Sequence, residues 1–76
     1  MRKELKNFAE KQEKKLADND HKTHWSECDL FYLRGALLAS YNRLSNGDLS
    51  FEEMQDECRD IANYSMMIDD NIERLK

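Results

Sequence analysis

Five carboxylates crowd the start of the last third of this 76-residue chain: Glu52, Glu53, Asp56, Glu57 and Asp60. On a helix, Glu53, Glu57 and Asp60 share one face, because side chains three and four positions apart are neighbours. Carboxylates so placed can grip a Mg²⁺ ion, which takes octahedral oxygen ligands and usually combines one or two carboxylates with substrate phosphates and water. The same residues also read as a solvated acidic first turn that complements the positive end of a helix. Spacing alone leaves both readings open. Zinc has less to work with: Cys28, Cys58, His21 and His24 are the only thiols and imidazoles, and their spacing matches no standard zinc module. No nucleophile elbow and no placed serine, histidine and acid set is recognisable. Glycine-rich phosphate loops are absent too.

The elements that must carry these residues are helices. The chain has no proline and only two glycines, Gly35 and Gly47, so little interrupts a long helical segment. Over residues 2 to 18, Leu5, Phe8, Ala9 and Leu16 recur at helical spacing with Lys and Glu between them, which predicts an amphipathic helix with one apolar face. The polar run Asn19 to His24 reads as a loop anchored by Trp25, since its side chains bond their own backbone in place of propagating a helix. Ser26 or Asp29 can cap a second helix running to about Ser45, and Asn46 and Gly47 then predict a left-handed C-terminal stop. Ser50 and Glu53 form a capping box ahead of a third helix that reaches close to Leu75.

Apolar rows then predict assembly. Phe51, Met54, Cys58, Ile61, Ser65, Ile68, Ile72 and Leu75 alternate steps of three and four, drawing a seam broken only by Ser65. The second helix carries two seams, one of Leu30, Leu33, Leu37, Tyr41 and Leu44, the other of Phe31, Leu38 and Ala39. A helix apolar on more than one side is covered on more than one side. Three helices of one chain cannot cover all of these surfaces. The expected fold is therefore all-α, a single domain over residues 1–76 whose three helices assemble into an oligomeric bundle. The economical form is a homodimer built from the second and third helices of each copy, with a tetramer as the alternative.

Composition narrows the function classes. A chain this short buries roughly 60% of the surface its unfolded form exposes, so it needs a staple. Cys28 and Cys58 read as free thiols in a reducing compartment, which again points to oligomerisation. No leader and no run of roughly 20 apolar residues is visible, so the expected location is the cytoplasm, away from the membrane. The net charge of −4 argues against general nucleic-acid binding, although Lys11, Lys14, Lys15 and Lys22 make the first third locally basic and able to meet phosphates.

The run Glu57, Cys58, Arg59 and Asp60, continuing as Ile61, Ala62, Asn63, Tyr64, Ser65, Met66, Met67 and Ile68, resembles the second motif of the MazG-like all-α nucleoside triphosphate pyrophosphohydrolases, where an E-x-x-D pair opens a similar apolar helix. Lys15 to Lys22, then Trp25 and Cys28, is similar to the N-terminal helix and loop of small MazG-like proteins found in phage and bacterial genomes. Together the matches span most of the chain. The resemblance implies Mg²⁺ ions held by carboxylates of two helices, which bind the triphosphate and activate water between its phosphates. The first metal motif of the family, E-E-x-x-E, is missing. The equivalent stretch is Ala36, Leu37, Leu38, Ala39 and Ser40, and Glu27 and Asp29 are the only acids from Trp25 to Asn46.

Losing about half the ligands undermines hydrolysis more than binding. Trp25 can stack on a base, His21 and Lys22 can meet phosphate or base edges, and Asn63 offers both donor and acceptor. Against these stand plainer roles: Trp25 as a lid over the core, the histidines as exposed loop residues, and Asn63 as a bridge between helices. Three functional expectations follow. The first is a catalytically degenerate MazG-like protein that sequesters a nucleotide or nucleotide signal, in a phage setting one used by host defence. The second is an active pyrophosphohydrolase using Glu53, Glu57 and Asp60 with Mg²⁺. The third is a ligand-free helical module or inhibitor docking on a host protein.

Overall fold

A computed structural model describes residues 1–19 and 23–76. Their architecture is all-helical: α1 (Lys3–Asp18), a short 3₁₀ turn (Trp25–Glu27), α2 (Leu30–Asn46) and α3 (Phe51–Leu75). The predicted caps form as expected. Of the two candidates before α2, Asp29 takes the position, its carboxylate accepting from the Tyr32 backbone N–H at 2.6 Å. Ser50 accepts from Glu53 N–H at 3.1 Å, and the Glu53 carboxylate accepts from Ser50 N–H at 3.0 Å, completing the capping box.

The end of α2 differs from expectation. Gly47 has φ −79° and ψ 152°, and no described residue has a positive φ. A left-handed stop is therefore not what the glycine provides. Its N–H donates to Arg43 O at 2.9 Å, and a Cβ on Gly47 would lie 2.6 Å from that oxygen and 3.1 Å from Leu49 Cγ. Glycine is needed there for close approach, the second use of a missing side chain.

Helix α3 is the spine. Both α1 and α2 pack on it, as does the 3₁₀ turn, while α1 and α2 do not pack on each other. The Cα radius of gyration, 13.1 Å, exceeds the roughly 11 Å of a close-packed chain this long. Little is fully enclosed. Among the described residues Leu33 is the one buried apolar side chain, and the other buried residues are Ser40, Asn63 and Asn71.

The seam expected to run down α3 is thus not its buried face. Phe51, Cys58, Ser65, Ile72 and Leu75 are exposed, and Met54, Ile61 and Ile68 are partly covered. The covered row instead runs through Asp60, Asn63, Tyr64, Met67 and Asn71, again in steps of three and four. On α2 the first seam turns inward at Leu30, Leu33, Leu37 and Leu44 but not at Tyr41, which is exposed, and all three residues of the second, Phe31, Leu38 and Ala39, are exposed. Helix α1 has no buried residue, and Leu5 on its apolar face is 57% exposed. No helix among the described residues is long and apolar enough to cross a membrane.

Candidate functional site

Because α1 and α2 meet α3 without meeting each other, a space opens between them, closed at one end by the 3₁₀ turn. This cavity has a volume of about 550 Å³, within the roughly 300–1,000 Å³ of small-molecule sites. Its wall mixes rings and hydrogen-bonding groups with the apolar side chains of Leu16, Leu33 and Met67. Trp25, His24, Tyr32 and Tyr64 supply rings, and Lys15, Asn19, Asp60 and Asn63 supply hydrogen-bonding groups.

Two of the expected nucleotide-binding residues, Trp25 and Asn63, are brought together here from positions far apart in sequence. The other two, His21 and Lys22, lie outside the described residues. They fall in the sequence between Asn19 and Thr23, both of which line the cavity.

Trp25 is held at several points. Its indole Nε1 donates to Asp70 Oδ2 at 2.9 Å, and its ring stacks on His24 with centroids 4.0 Å apart and planes 28° from parallel. Its carbonyl and that of Cys28 accept from Asn71 Nδ2 at 3.0 and 3.3 Å. Arg74 holds both residues that bond Trp25: it pairs with Asp70 at 2.6 Å and donates to Asn71 Oδ1 at 2.8 Å. A satisfied polar network of this kind fixes geometry as well as energy. The tryptophan is consequently a rigid platform on the cavity wall, with its polar edge turned to α3.

Asn63 is 4% exposed, and its carbonyl oxygen accepts from Gln12 Nε2 at 3.1 Å. The bridge between helices is therefore real. Among the described residues its NH₂ group has no partner, so the cavity is offered a donor.

Lys15 reaches in from α1 and bonds Asp60 at 2.7 Å and Asp56 at 2.9 Å. Burial alone would lower its pKa, but hydrogen bonds and charge attraction from Asp60 and Asp56 outweigh that and raise it above the ordinary 10.5. Tyr64 is also pushed above the usual phenol value, first by burial and then by Asp60.

The three carboxylates expected to hold a metal are each engaged separately. Glu53 is spent in the capping box, and its hydrogen bonds from Ser50 lower its pKa. Glu57 Oε2 accepts from Arg43 Nε at 2.7 Å, and Arg43 also donates to the fully buried Ser40 at 3.1 Å. Asp60 has Lys15. No group of three or more metal-ligating side chains gathers among the described residues.

The stretch that lacks the family's first metal motif has its Ala36, Leu37 and Ser40 covered to differing degrees, with Ser40 fully buried. One turn on, Arg43 brings a guanidinium to Glu57. Two protein cations, Arg43 and Lys15, thus stand at the carboxylates where the resemblance would put metal. A cation entering here would first have to displace one of them. One atom is left over: Glu57 Oε1 is buried with no hydrogen-bond partner, and the side chain as a whole is 13% exposed.

The polar clamp of Asp70, Asn71 and Arg74 was not among the expected site residues. Its signal is the second row on α3, where Asp60, Asn63, Met67, Asn71 and Arg74 repeat every three or four residues beside the apolar seam. No known protein family matches the chain, and neither a curated protein nor a solved structure does.

Proposed function

We propose that this chain is a nucleotide-binding protein that holds its ligand without hydrolysing it and works as a homo-oligomer in the cytoplasm. The observation that carries the reading is the cavity, which places an anchored Trp25 beside Tyr32, Tyr64, Asn63 and Lys15. A flat aromatic surface suits a base, and a carboxamide can read its edge. The described charges of the wall, Lys15 and Asp60, offset one another, so the base contributes more of the recognition than the phosphates do.

Lack of turnover follows from the carboxylates. Hydrolysis of a triphosphate by metal-activated water requires acids free to hold the metal. Here Arg43 pairs with Glu57, and the single charge of Lys15 is shared between Asp60 and Asp56. The protein's own side chains supply the positive charge. A sequestering protein of this kind, phage-encoded or bacterial, would remove a nucleotide signal by stoichiometry alone.

Isothermal titration with nucleoside triphosphates and cyclic nucleotides, with and without Mg²⁺, tests the reading when pyrophosphate is assayed in the same samples. Saturable binding with the ligand recovered intact is expected, and Trp25→Ala should weaken it by about 1–3 kcal/mol, the usual worth of one stacked base. No binding across the panel would overturn it. The pyrophosphohydrolase reading draws on the orphaned Glu57 Oε1, an acceptor that a cation would satisfy. It requires Mg²⁺-dependent pyrophosphate release that disappears in Glu57→Gln.

A further inference from the structure

Stacking on a ring holds any base and chooses none, since every base has a flat face. Choice between bases falls to the polar groups beside the rings. Asp60 and Asn63 stand three positions apart on α3, and both line the cavity. Side chains so spaced are neighbours on one helix face, with Cβ atoms roughly 5–6 Å apart. One is a carboxylate, the other a carboxamide.

Asn63 is 4% exposed, and Gln12 Nε2 of α1 donates to its carbonyl oxygen at 3.1 Å. That bond leaves the NH₂ group, which has no partner among the described residues, as a donor at the cavity wall. Buried polar groups are nearly always hydrogen-bonded, so this donor is matched to an acceptor from a guest. Lys15 meets Asp60 through Oδ1 at 2.7 Å. A carboxylate has about four lone-pair sites on its two oxygens, so Oδ2 and the second site of Oδ1 are left for N–H groups of a ligand. The Asp60 side chain is 24% exposed, open to the cavity and still shielded enough for a charged acceptor to count.

The pair therefore offers one donor beside an acceptor of two N–H bonds. Guanine has the complementary edge, on which the O6 acceptor, N1–H and the N2 amino group follow one another. Adenine, cytosine and uracil each carry a single N–H donor group on that edge. In either orientation they leave Asp60 with one bond at most and set a lone pair against its second oxygen. A polar site rejects a ligand that leaves its groups unpaired far more strongly than an apolar site rejects a change of size.

We infer that the ligand of this cavity is a guanine nucleotide, whose O6 accepts from Asn63 and whose N1–H and N2–H donate to Asp60, while the rings of Trp25, Tyr32 and Tyr64 hold its plane. This assignment rests on the nucleotide reading above and names its base. It gives Asp60 a task other than holding a metal: the acid that closes the E-x-x-D pair reads a base edge, with Lys15 fixing its position.

The test is isothermal titration of the full chain, without Mg²⁺, with the 5′-triphosphates of guanosine, inosine, xanthosine, adenosine, cytidine and uridine. The triphosphate is common to all six, so differences in affinity report the base. The guanosine nucleotide is expected to bind tightest. Inosine lacks the N2 amino group and should bind about 10-fold more weakly or worse, the usual worth of a hydrogen bond to a charged group. Asp60→Asn keeps an acceptor for N1–H and places a donor where xanthine has its O2 carbonyl, so this variant should prefer the xanthosine nucleotide over the guanosine one. Asn63→Ala removes the bond to O6, which guanine, hypoxanthine and xanthine share, and should weaken all three together. Circular dichroism shows whether each variant keeps its helices, and for one that does not, the guanosine and inosine affinities of the wild type decide. Inosine binding as tightly as guanosine, another base binding tighter than guanine, or a folded Asp60→Asn that keeps the guanosine preference overturns the assignment and leaves the nucleotide reading standing. No binding by any of the six overturns both.

Discussion

The inner row of α3 and the outer face of α2 reverse the usual arrangement of a small domain. Inside, Asn63 and Asn71 are buried and hydrogen-bonded to residues from α1 and from the 3₁₀ turn. Outside, Phe31 and Leu38 are 84% and 56% exposed. Each of the two buried asparagines is tied to another element by at least one hydrogen bond, while the large apolar groups outside stay open to solvent. Burial of an amide is tolerable when its hydrogen bonds are made, while exposure of large apolar side chains leaves stabilisation unused until something covers them. The difference teaches that this chain specifies its internal geometry by directional bonds and leaves much of its large hydrophobic surface exposed.

The sharpest way to break that contrast is Leu33→Ala, which empties the one described apolar position that the monomer fully encloses. Loss of about 2–5 kcal/mol is expected, as for other buried leucines, read from urea or thermal unfolding. A much smaller loss would show that Leu33 contributes little beside the polar contacts. Next comes Asn71→Ala, which frees the carbonyls of Trp25 and Cys28 and leaves Arg74 without an acceptor. A cost of about 1–3 kcal/mol follows from stranding such groups, accompanied by a change in the emission of the single tryptophan. Unchanged emission would mean that the turn holds without its clamp.

Ser50→Ala removes the α3 cap and should cost about 1 kcal/mol, the typical value for such a residue. This loss belongs to the helix end and should leave nucleotide binding alone. The smallest effect is on the alkaline side. Lys15 has its pKa raised in the folded state by Asp60 and Asp56 against the opposing effect of burial. Its contribution to stability is therefore complete below about 10.5 and fades as pH rises through the higher folded-state value. Tyr64, also raised, acts in the same direction. Lys15→Met should flatten the alkaline decline without abolishing it, and an identical decline in both proteins would remove Lys15 from the account.

Much of this was legible in the residues. Local chemistry marked the helices: the absence of proline, the Ser50 and Glu53 box, and Asp29 ahead of an apolar run all act within a few positions. The choice of inner face on α3 was not local. Two rows share that helix at similar spacing, and the more apolar one, Phe51 to Leu75, is the one left outside. What turns the other row inward is a set of distant partners: Gln12 for Asn63, Lys15 for Asp60, and the carbonyls of Trp25 and Cys28 for Asn71. Hydrophobic period shows that a face is to be covered without saying by which chain. Gly47 shows the same limit on a smaller scale, since the need for close approach to Arg43 O and Leu49 is invisible until the next turn is placed.

For the site, Trp25 and Asn63 could be chosen from chemistry alone because stacking and amide recognition are properties of single side chains. The ion pairs of Glu57 and Asp60 could not. Arg43 is fourteen positions from Glu57 and Lys15 forty-five from Asp60, and in each pair the two partners sit on different helices, so the pairing depends on how the helices pack.

One consequence of the spine arrangement concerns motion. Helix α1 touches α3 and never α2, and it encloses no side chain of its own. It can therefore lift from α3 while the packing of α2 on α3 stays formed, a partial opening of the kind that sets amide exchange rates in small proteins. Lys15, Leu16 and Asn19 would leave the cavity wall with it. Occupancy and docking of α1 are then thermodynamically linked: a guest in the cavity slows exchange along the N-terminal helix, including at amides it never touches, and loosening that helix speeds its release.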